Sequence, residues 1–195
     1  IATIDTELAL ADLETVERAL DKSLKGSKAG DKAQLQMARL LERVRVWLDS
    51  GAPVRSMALA QMERAALKPL CLLTAKPVLY VSNVDEHDLH GGKGSNVAAV
   101  KAHAHNFGDE LVLVSARIEQ EIAMLDHQER GAFMNDLGLV ESGLDRVIRA
   151  GYSLLGLRTF FTAGPKEARA WTIKSGMTAS NAAGVIPADF ERGFI

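Results

Sequence analysis

The stretch KPVLYVSNVDE, residues 76–86, decides the fold of this chain. Pro77 opens an apolar run rich in β-branched and aromatic residues, and the polar residues from Ser82 onward end it. A short apolar run with these boundaries predicts a buried β-strand. A second run of this kind, ELVLVSA, occupies residues 110–116. The helical pattern between the two runs favours a parallel crossover, so the sequence predicts an α/β fold.

Small and polar residues stand where each predicted strand ends. They are Asn83, Val84 and Glu86 after the first strand, and Ser115 and Ala116 after the second. Because ligands of open α/β sheets bind just beyond the carboxyl ends of the strands, these residues are our candidate binding site. The two strand ends look like the nucleobase half of a Ras-like nucleotide-binding domain.

The pattern Asn83-Val84-Asp85-Glu86 differs from N-K-x-D, with which most proteins of that fold bind GTP. The Asp of N-K-x-D accepts hydrogen bonds from guanine, whereas N1 of adenine is itself an acceptor. Val84 stands where the Lys would pack over the base, and the longer Glu86 replaces the Asp. The side-chain amide of Asn83 can meet the N7 and N6 edge of adenine, which favours ATP. Alternatively, Asn83 only closes the turn after the strand.

Composition excludes several classes of protein. The chain has 195 residues, a net charge of −2 and 47% hydrophobic residues, which is ordinary for a globular protein. Its one cysteine, Cys71, argues against a disulfide framework and suits the cytoplasm. No apolar run is long enough to span a membrane. We predict no membrane partner and no DNA sequence recognition, and expect the true N-terminus to lie upstream of Ile1.

The first 75 residues predict an antiparallel helical hairpin. One helix is expected over residues 5–24, and a second runs from a capping box at Asp31 and Gln34 to Gly51. A third, short helix is expected from Met57 to Leu67, capped by Ser56. The apolar stripes of the two long helices contain Leu13, Val16, Leu20 and Leu24, and then Met37, Leu41, Val44 and Leu48.

The hairpin tip is basic. Between Lys22 and Arg45 there are seven basic residues and two acidic ones. The simpler interpretation is a solvated helix face, and the alternative is a surface for the phosphate backbone of RNA. The basic residues are Lys22, Lys25, Lys28, Lys32, Arg39, Arg43 and Arg45.

The rest of the chain alternates caps, helices and a hairpin. We expect helices over residues 95–107 with Ser95 as the cap, 117–125, 126–137 with a capping box at Asp126 and Glu129, and 142–155. Strands are expected over residues 157–162 and 168–173, followed by a short helix through Ala183. The apolar face of the 142–155 helix contains Leu144, Ile148, Tyr152 and Leu155.

Four stretches of the chain resemble one family. They are LALADLETVERAL at residues 8–20, NVDE at 83–86, GLDRVIRAGYSLLGLRTFFTAGPKEARAWTI at 143–173 and DFERGFI at 189–195. Together they resemble the YchF or Obg-like ATPase family. The resemblance implies a helical hairpin insertion at 1–75, the C-terminal part of a Ras-like P-loop NTPase domain at 76–156, and the N-terminal part of a β-grasp TGS domain at 157–195.

The resemblance also implies a function. Members of the family hydrolyse ATP with Mg²⁺ and associate with the ribosome, for which large-subunit ribosomal RNA is the expected contact. Ser115-Ala116 resembles the family's second base-contacting loop, and GTP binding stays open. In the family the P-loop, the switch regions and the Mg²⁺ ligands precede this segment. We therefore expect the base-recognition half only, with no catalytic or metal residue and no ATP hydrolysis by this chain alone. The alternative is a non-catalytic ribosome- or RNA-binding module that uses the basic hairpin and the TGS segment.

Other motifs do not support a different chemistry. The segment Gly91-Gly92-Lys93-Gly94-Ser95 departs from G-x-x-x-x-G-K-[ST], because Gly94 follows the Lys. No G-x-G-x-x-G follows a strand, which argues against a dinucleotide enzyme. The histidines do not have a metal-site spacing. The family's Ile-His-Thr-Asp is replaced by residues 186–189, Ile-Pro-Ala-Asp, so a role for that His is not expected here.

Overall fold

The computed structural model describes residues 1–28, 30–89, 94–165 and 167–186. The chain is an α/β protein that divides into two compact units, Ile1–Pro77 and Val78–Ile195. No helix of the described part is long and apolar enough to cross a membrane.

The first unit is helical. Its two long helices, α1 (Ala2–Lys28) and α2 (Lys32–Asp49), pack against each other, which confirms the predicted hairpin. The shorter α3 (Gln61–Leu67) follows. Side chains from both predicted stripes form the centre of the core, and the most deeply buried are Val16, Leu41 and Val44. Leu24, which we expected in the stripe, is 43% exposed, whereas the neighbouring Ser23 is buried.

The turn between α1 and α2 differs in detail from the predicted capping box. The Asp31 carboxylate accepts hydrogen bonds from the backbone N–H groups of Ala33 and Gln34 at 2.8 and 3.3 Å, as expected of an N-cap. The Gln34 side chain lies instead against Gly26, where an added Cβ would come within 2.9 Å of Gln34 Cγ. A glycine at residue 26 therefore lets α2 begin close to the end of α1.

The third predicted helix begins four residues later than expected. Ser56 ends a 3₁₀ turn (Val54–Ser56), and its hydroxyl donates to the Pro53 carbonyl at 2.8 Å instead of capping a helix. Met57 is extended, and α3 begins at Gln61. The Glu63 carboxylate accepts from the Ala60 N–H at 2.9 Å, which fixes the start of α3.

The second unit contains two small sheets. Strands β1 (Leu79–Asn83) and β2 (Glu110–Val114) are parallel and are joined through α4 (Ser95–Phe107), with Leu79 opposite Glu110 and Asn83 opposite Val114. Strands β3 (Leu157–Ala163) and β4 (Ala168–Lys174) form the predicted antiparallel hairpin. The remaining helices are α5 (Ala116–Met124), α6 (His127–Asp136), α7 (Gly143–Leu154) and α8 (Ala179–Ala183).

Two expectations for these helices are wrong. Gly94, not Ser95, occupies the N-cap position of α4. The predicted apolar face of α7 is largely exposed, since Leu144 is 59%, Ile148 is 49% and Leu155 is 60% accessible. Gly143 and Ala150, on another side of α7, are buried instead. Packing therefore uses the small residues of this helix, which allow a close approach to β2.

Candidate functional site

The ends of β1 and β2 are joined through Asn83. Asn83 is the last residue of β1, and its side-chain Oδ1 accepts a hydrogen bond from the Ala116 N–H at 2.9 Å. Because Ala116 is the first residue of α5, Asn83 satisfies one of the N–H groups that a helix start leaves without an intrahelical partner. The bond turns the Asn83 amide so that its NH₂ group is the part left to donate.

Ser115 lies at the N-cap of α5 and is 5% exposed. Its carbonyl accepts the first intrahelical bond, from the Glu119 N–H at 3.0 Å. The side chain of Ser115 makes no cap hydrogen bond, so Asn83 from the neighbouring strand supplies the cap at Ala116. The structure thus brings Asn83, Ser115 and Ala116 together at one sheet edge.

Val84 and Glu86 lie in different surroundings after β1. The Val84 N–H donates to the Val114 carbonyl at 2.8 Å and extends the parallel ladder by one residue. The Val84 side chain is partly buried against a core cluster that contains Leu89 and Ile118, so it anchors the loop after β1 to this core. Glu86 is exposed and begins a short 3₁₀ turn (Glu86–Asp88).

The start of α5 is held in place by contacts to α7. The two carboxylate oxygens of Glu119 accept from the Gly143 N–H at 2.6 Å and from the Leu144 N–H at 3.1 Å. The Ser142 hydroxyl accepts from the Asp145 N–H at 3.0 Å, as predicted for the cap. Glu119 therefore caps a helix other than its own, and this ties the α5 end of the site to the rest of the unit.

Sequence reasoning missed Glu119. The residue stands in an amphipathic helix among other charged residues, where a solvent-exposed side chain is the ordinary expectation. The one available signal was Gly143 directly after Ser142. A Cβ at Gly143 would lie 2.8 Å from Glu119 Oε1, so a glycine is required for this approach.

The basic residues of the hairpin divide into two groups. Arg43 pairs with Glu63 at 2.5 Å and Arg45 pairs with Glu42 at 2.7 Å. The hydrogen bond and charge of Glu42 raise the pKa of Arg45. Lys22, Lys25, Lys32 and Arg39 are also exposed, and they take part in none of the described ion pairs.

Two further predictions concern metal ions and the glycine-rich and C-terminal segments. Within residues 1–28, 30–89, 94–165 and 167–186, no group of three or more His, Cys, Asp or Glu could hold a metal ion. His90, most of the glycine-rich segment at residues 91–95 and the segment 187–195 lie outside the described residues.

Comparison with known proteins supports the resemblance over the whole chain. The Ribosome-binding ATPase YchF of Bacillus subtilis (strain 168) is 45% identical over 196 residues, covering 100% of this chain and 54% of the relative. The protein of the same name in Escherichia coli O157:H7 is 47% identical, with 100% and 53% covered. Over its whole length the chain is homologous to the YchF and Obg-like ATPases.

More distant members of the YchF and Obg-like family agree. Obg-like ATPase 1 of Caenorhabditis elegans is 35% identical over 98% of this chain and 49% of its own length. The structure of the Schizosaccharomyces pombe YchF GTPase superposes with a TM-score of 0.87 at 32% identity, covering 99% of this chain and 53% of that one. A family model described as "YchF-GTPase_C: Protein of unknown function (DUF933)" matches residues 157–195. The chain spans about half the length of the curated relatives it matches.

Proposed function

We propose that this chain is the base-recognition half of a ribosome-associated ATPase, in which Asn83 reads adenine and Ser115-Ala116 forms the opposite side of the base site. The observation that carries the proposal is the hydrogen bond of 2.9 Å from the Ala116 N–H to Asn83 Oδ1. It joins the carboxyl ends of two parallel strands, which is where ligands of such sheets bind. The domain assignment that goes with it is the Ras-like part at 76–156 and the TGS part at 157–195.

The orientation of Asn83 fits adenine chemically. With Oδ1 held by Ala116, the NH₂ group can donate to N7 of the purine, and the second lone pair of Oδ1 can accept from the N6 amine. Glu86 is less suited to guanine than the Asp of N-K-x-D, because its extra methylene displaces the carboxylate. ATP is therefore the proposed ligand. Its Mg²⁺ and its hydrolysis belong to the proposal for the whole protein, since this chain spans about half the length of the relatives that are named ATPases.

Competition between ATP and GTP for the full-length protein that contains this chain tests the base assignment. ATP should bind about tenfold more tightly than GTP or better, since a bidentate contact to a base discriminates by about 1–3 kcal/mol. Glu86→Asp restores the carboxylate position of N-K-x-D and should reduce this preference. The matched control is Glu110→Asp, an exposed change at the other end of β2. Tighter binding of GTP by the unmodified protein would contradict the assignment.

A second candidate is a binding module for ribosomal RNA without catalysis. It is favoured by exposed Lys22, Lys25, Lys32 and Arg39 on α1 and α2, which pair with no acidic residue in the described ion pairs. Such a surface would bind RNA through phosphates, so the affinity should fall steeply with salt. Lys22→Glu with Lys25→Glu should weaken binding to a large-subunit RNA fragment and flatten its salt dependence, whereas Glu86→Asp should leave it unchanged.

A further inference from the structure

A cavity of about 520 Å³ lies in the first unit, between the 54–56 turn, α3 and the segment leading to Lys76. Its floor is apolar and belongs to the core: Val54, Leu67 and Leu72 are 2%, 4% and 3% exposed. The volume lies within the range of about 300–1,000 Å³ that is usual for small-molecule sites. An apolar group in this cavity would contact side chains that the fold already holds in place.

The rim of the cavity is basic. Arg64, Lys68 and Lys76 are exposed, Arg55 is half-buried, and none of the described lining residues is acidic. The Arg64 Nε–H donates to the Leu59 carbonyl at 3.2 Å, which holds the guanidinium beside the opening. Its terminal nitrogens can still donate to an anion. Clustered cations beside a low-dielectric floor attract a negative group and form charge-assisted hydrogen bonds with it.

Cys71 also lines the cavity. Its φ of +50° is in the left-handed region, where a residue other than glycine is uncommon. The thiol is free and exposed, and it is the one cysteine of the chain. Its reaction with an alkylating reagent therefore reports directly on whether the cavity is occupied.

We propose that this cavity binds a small amphipathic anion. Its unbranched apolar chain lies on the floor formed by Val54, Leu67 and Leu72, and its carboxylate lies against Lys68 and Lys76. The combination of an apolar floor with a basic rim selects for a ligand that has both parts. A short anion would make no contact with the apolar lining, and a neutral chain would gain no charge-assisted hydrogen bond. The proposal does not depend on the nucleobase site, since every lining residue belongs to the first unit.

Calorimetric titration of the whole chain with decanoate, kept below its micelle concentration, tests the proposal. Saturable binding of one decanoate per chain is expected, with acetate not binding and decanol binding at least tenfold more weakly. Lys68→Glu with Lys76→Glu should weaken decanoate binding at least tenfold. The matched control, Lys22→Glu with Lys25→Glu, makes the same change of charge on exposed positions of α1 and should bind like the parent chain. Circular dichroism verifies that both variants keep their helices.

The thiol supplies a second readout. Saturating decanoate should slow the alkylation of Cys71 by iodoacetamide at least fivefold, and acetate at the same concentration should leave the rate unchanged. Four outcomes would overturn the proposal: no saturable binding of decanoate, decanol binding as tightly as decanoate, equal decanoate affinity in the two double variants, or an alkylation rate that decanoate does not change. If decanoate does not bind and sedimentation shows a dimer, the cavity is instead an interface between copies.

Discussion

Two polar side chains of this chain, Asn83 and Asp12, join distant segments through hydrogen bonds to backbone N–H groups. Asn83 accepts from Ala116 on the neighbouring element, and Asp12, 3% exposed, accepts from the N–H groups of Leu73 and Thr74, both at 2.7 Å. In both cases a side-chain oxygen accepts a hydrogen bond from a backbone N–H group that would otherwise lack an acceptor within the protein. Both contacts join residues that are far apart in the sequence, so the spacing of residues does not predict either of them.

Asn83→Ala should weaken ATP binding to the full-length protein about tenfold or more, because the base loses its hydrogen-bonding amide. It should also lower the free energy of unfolding by about 1 kcal/mol, since the Ala116 N–H loses its acceptor. Asn96→Ala, at an exposed position on α4, is the matched control and should change neither quantity. An Asn83→Ala protein with unchanged ATP affinity would remove Asn83 from the site.

Glu63 makes part of the stability dependent on pH. The hydrogen bond from the Ala60 N–H, together with Arg43, lowers the pKa of Glu63 from its ordinary value of 4.5. Because the folded state has the lower pKa, the stabilisation is present above pH 4.5 and is lost as the pH falls through the folded-state pKa. Thermal unfolding should show Glu63→Gln less stable than the parent at pH 7, with the difference shrinking as the pH falls below 4.5.

The control for this pH effect is Glu7→Gln, which removes an exposed carboxylate from α1. Its difference from the parent should not follow the same pH profile. A Glu63→Gln difference that stays constant from pH 7 to pH 3 would show that the charge of Glu63 is not the cause.

At the scale of elements, the second unit depends on a close contact between α5, β2 and α7. Gly143 is the first residue of α7, and its N–H lies against Glu119 of α5. A Cβ at this position would come within 3.0 Å of Val114 Cγ1 on β2 as well as meeting Glu119. The absence of a side chain at residue 143 therefore allows one carboxylate to cap α7 and to hold the α5 start near Asn83.

Gly143→Ala should destabilise the chain by about 1–3 kcal/mol, because the added methyl group displaces Glu119 or Val114 in a packed region. Gly151→Ala in the same helix is the matched control, since its added Cβ would meet nothing within 4 Å beyond the adjacent backbone of its own helix. That change should be neutral or stabilising by up to about 1 kcal/mol through helix propensity. Urea denaturation measures both, and equal effects of the two changes would show that the contact with Glu119 is unimportant.

At the scale of the whole molecule, the chain consists of two units with separate cores. The core of the first unit is formed between α1, α2 and the segment up to Leu72, and the Asp12 contacts lie entirely within that unit. A core and a buried polar network of its own are the features of a segment that folds independently.

A fragment of residues 1–77 should therefore fold as a helical unit with a cooperative thermal transition by circular dichroism. Asp12→Ala in this fragment should lower its free energy of unfolding by about 2–4 kcal/mol, because the Leu73 N–H and the buried N–H and hydroxyl of Thr74 lose their acceptor. Asp21→Ala, an exposed position on the same helix, should be nearly neutral. A fragment without a cooperative transition would contradict the division into units.

The pattern of apolar residues predicted the elements well and their faces less reliably. The parallel pair, the helical hairpin, the 157–174 hairpin and the caps at Asp126 and Ser142 are confirmed. The start of α3 and the buried face of α7 were wrong. Hydrophobic periodicity identifies the most apolar side of a helix. In α7 the buried side is instead the one with small residues, because these let the helix approach β2.

The sequence by itself determined the α/β class, the two strand ends that carry Asn83 and Ser115, and the homology to the YchF and Obg-like ATPases. Each of these depends on residues that are close together in the sequence: local periodicity for the elements and long matching stretches for the homology. Tertiary structure alone decided that Asn83 is bound to Ala116, that Glu119 caps α7, and that a basic rim surrounds an apolar cavity beside Cys71. Asn83 and Ala116 are 33 positions apart, Glu119 and Gly143 are 24 apart, and the cavity lining spans 22 positions. Residues so far apart in the sequence come together only when the chain folds.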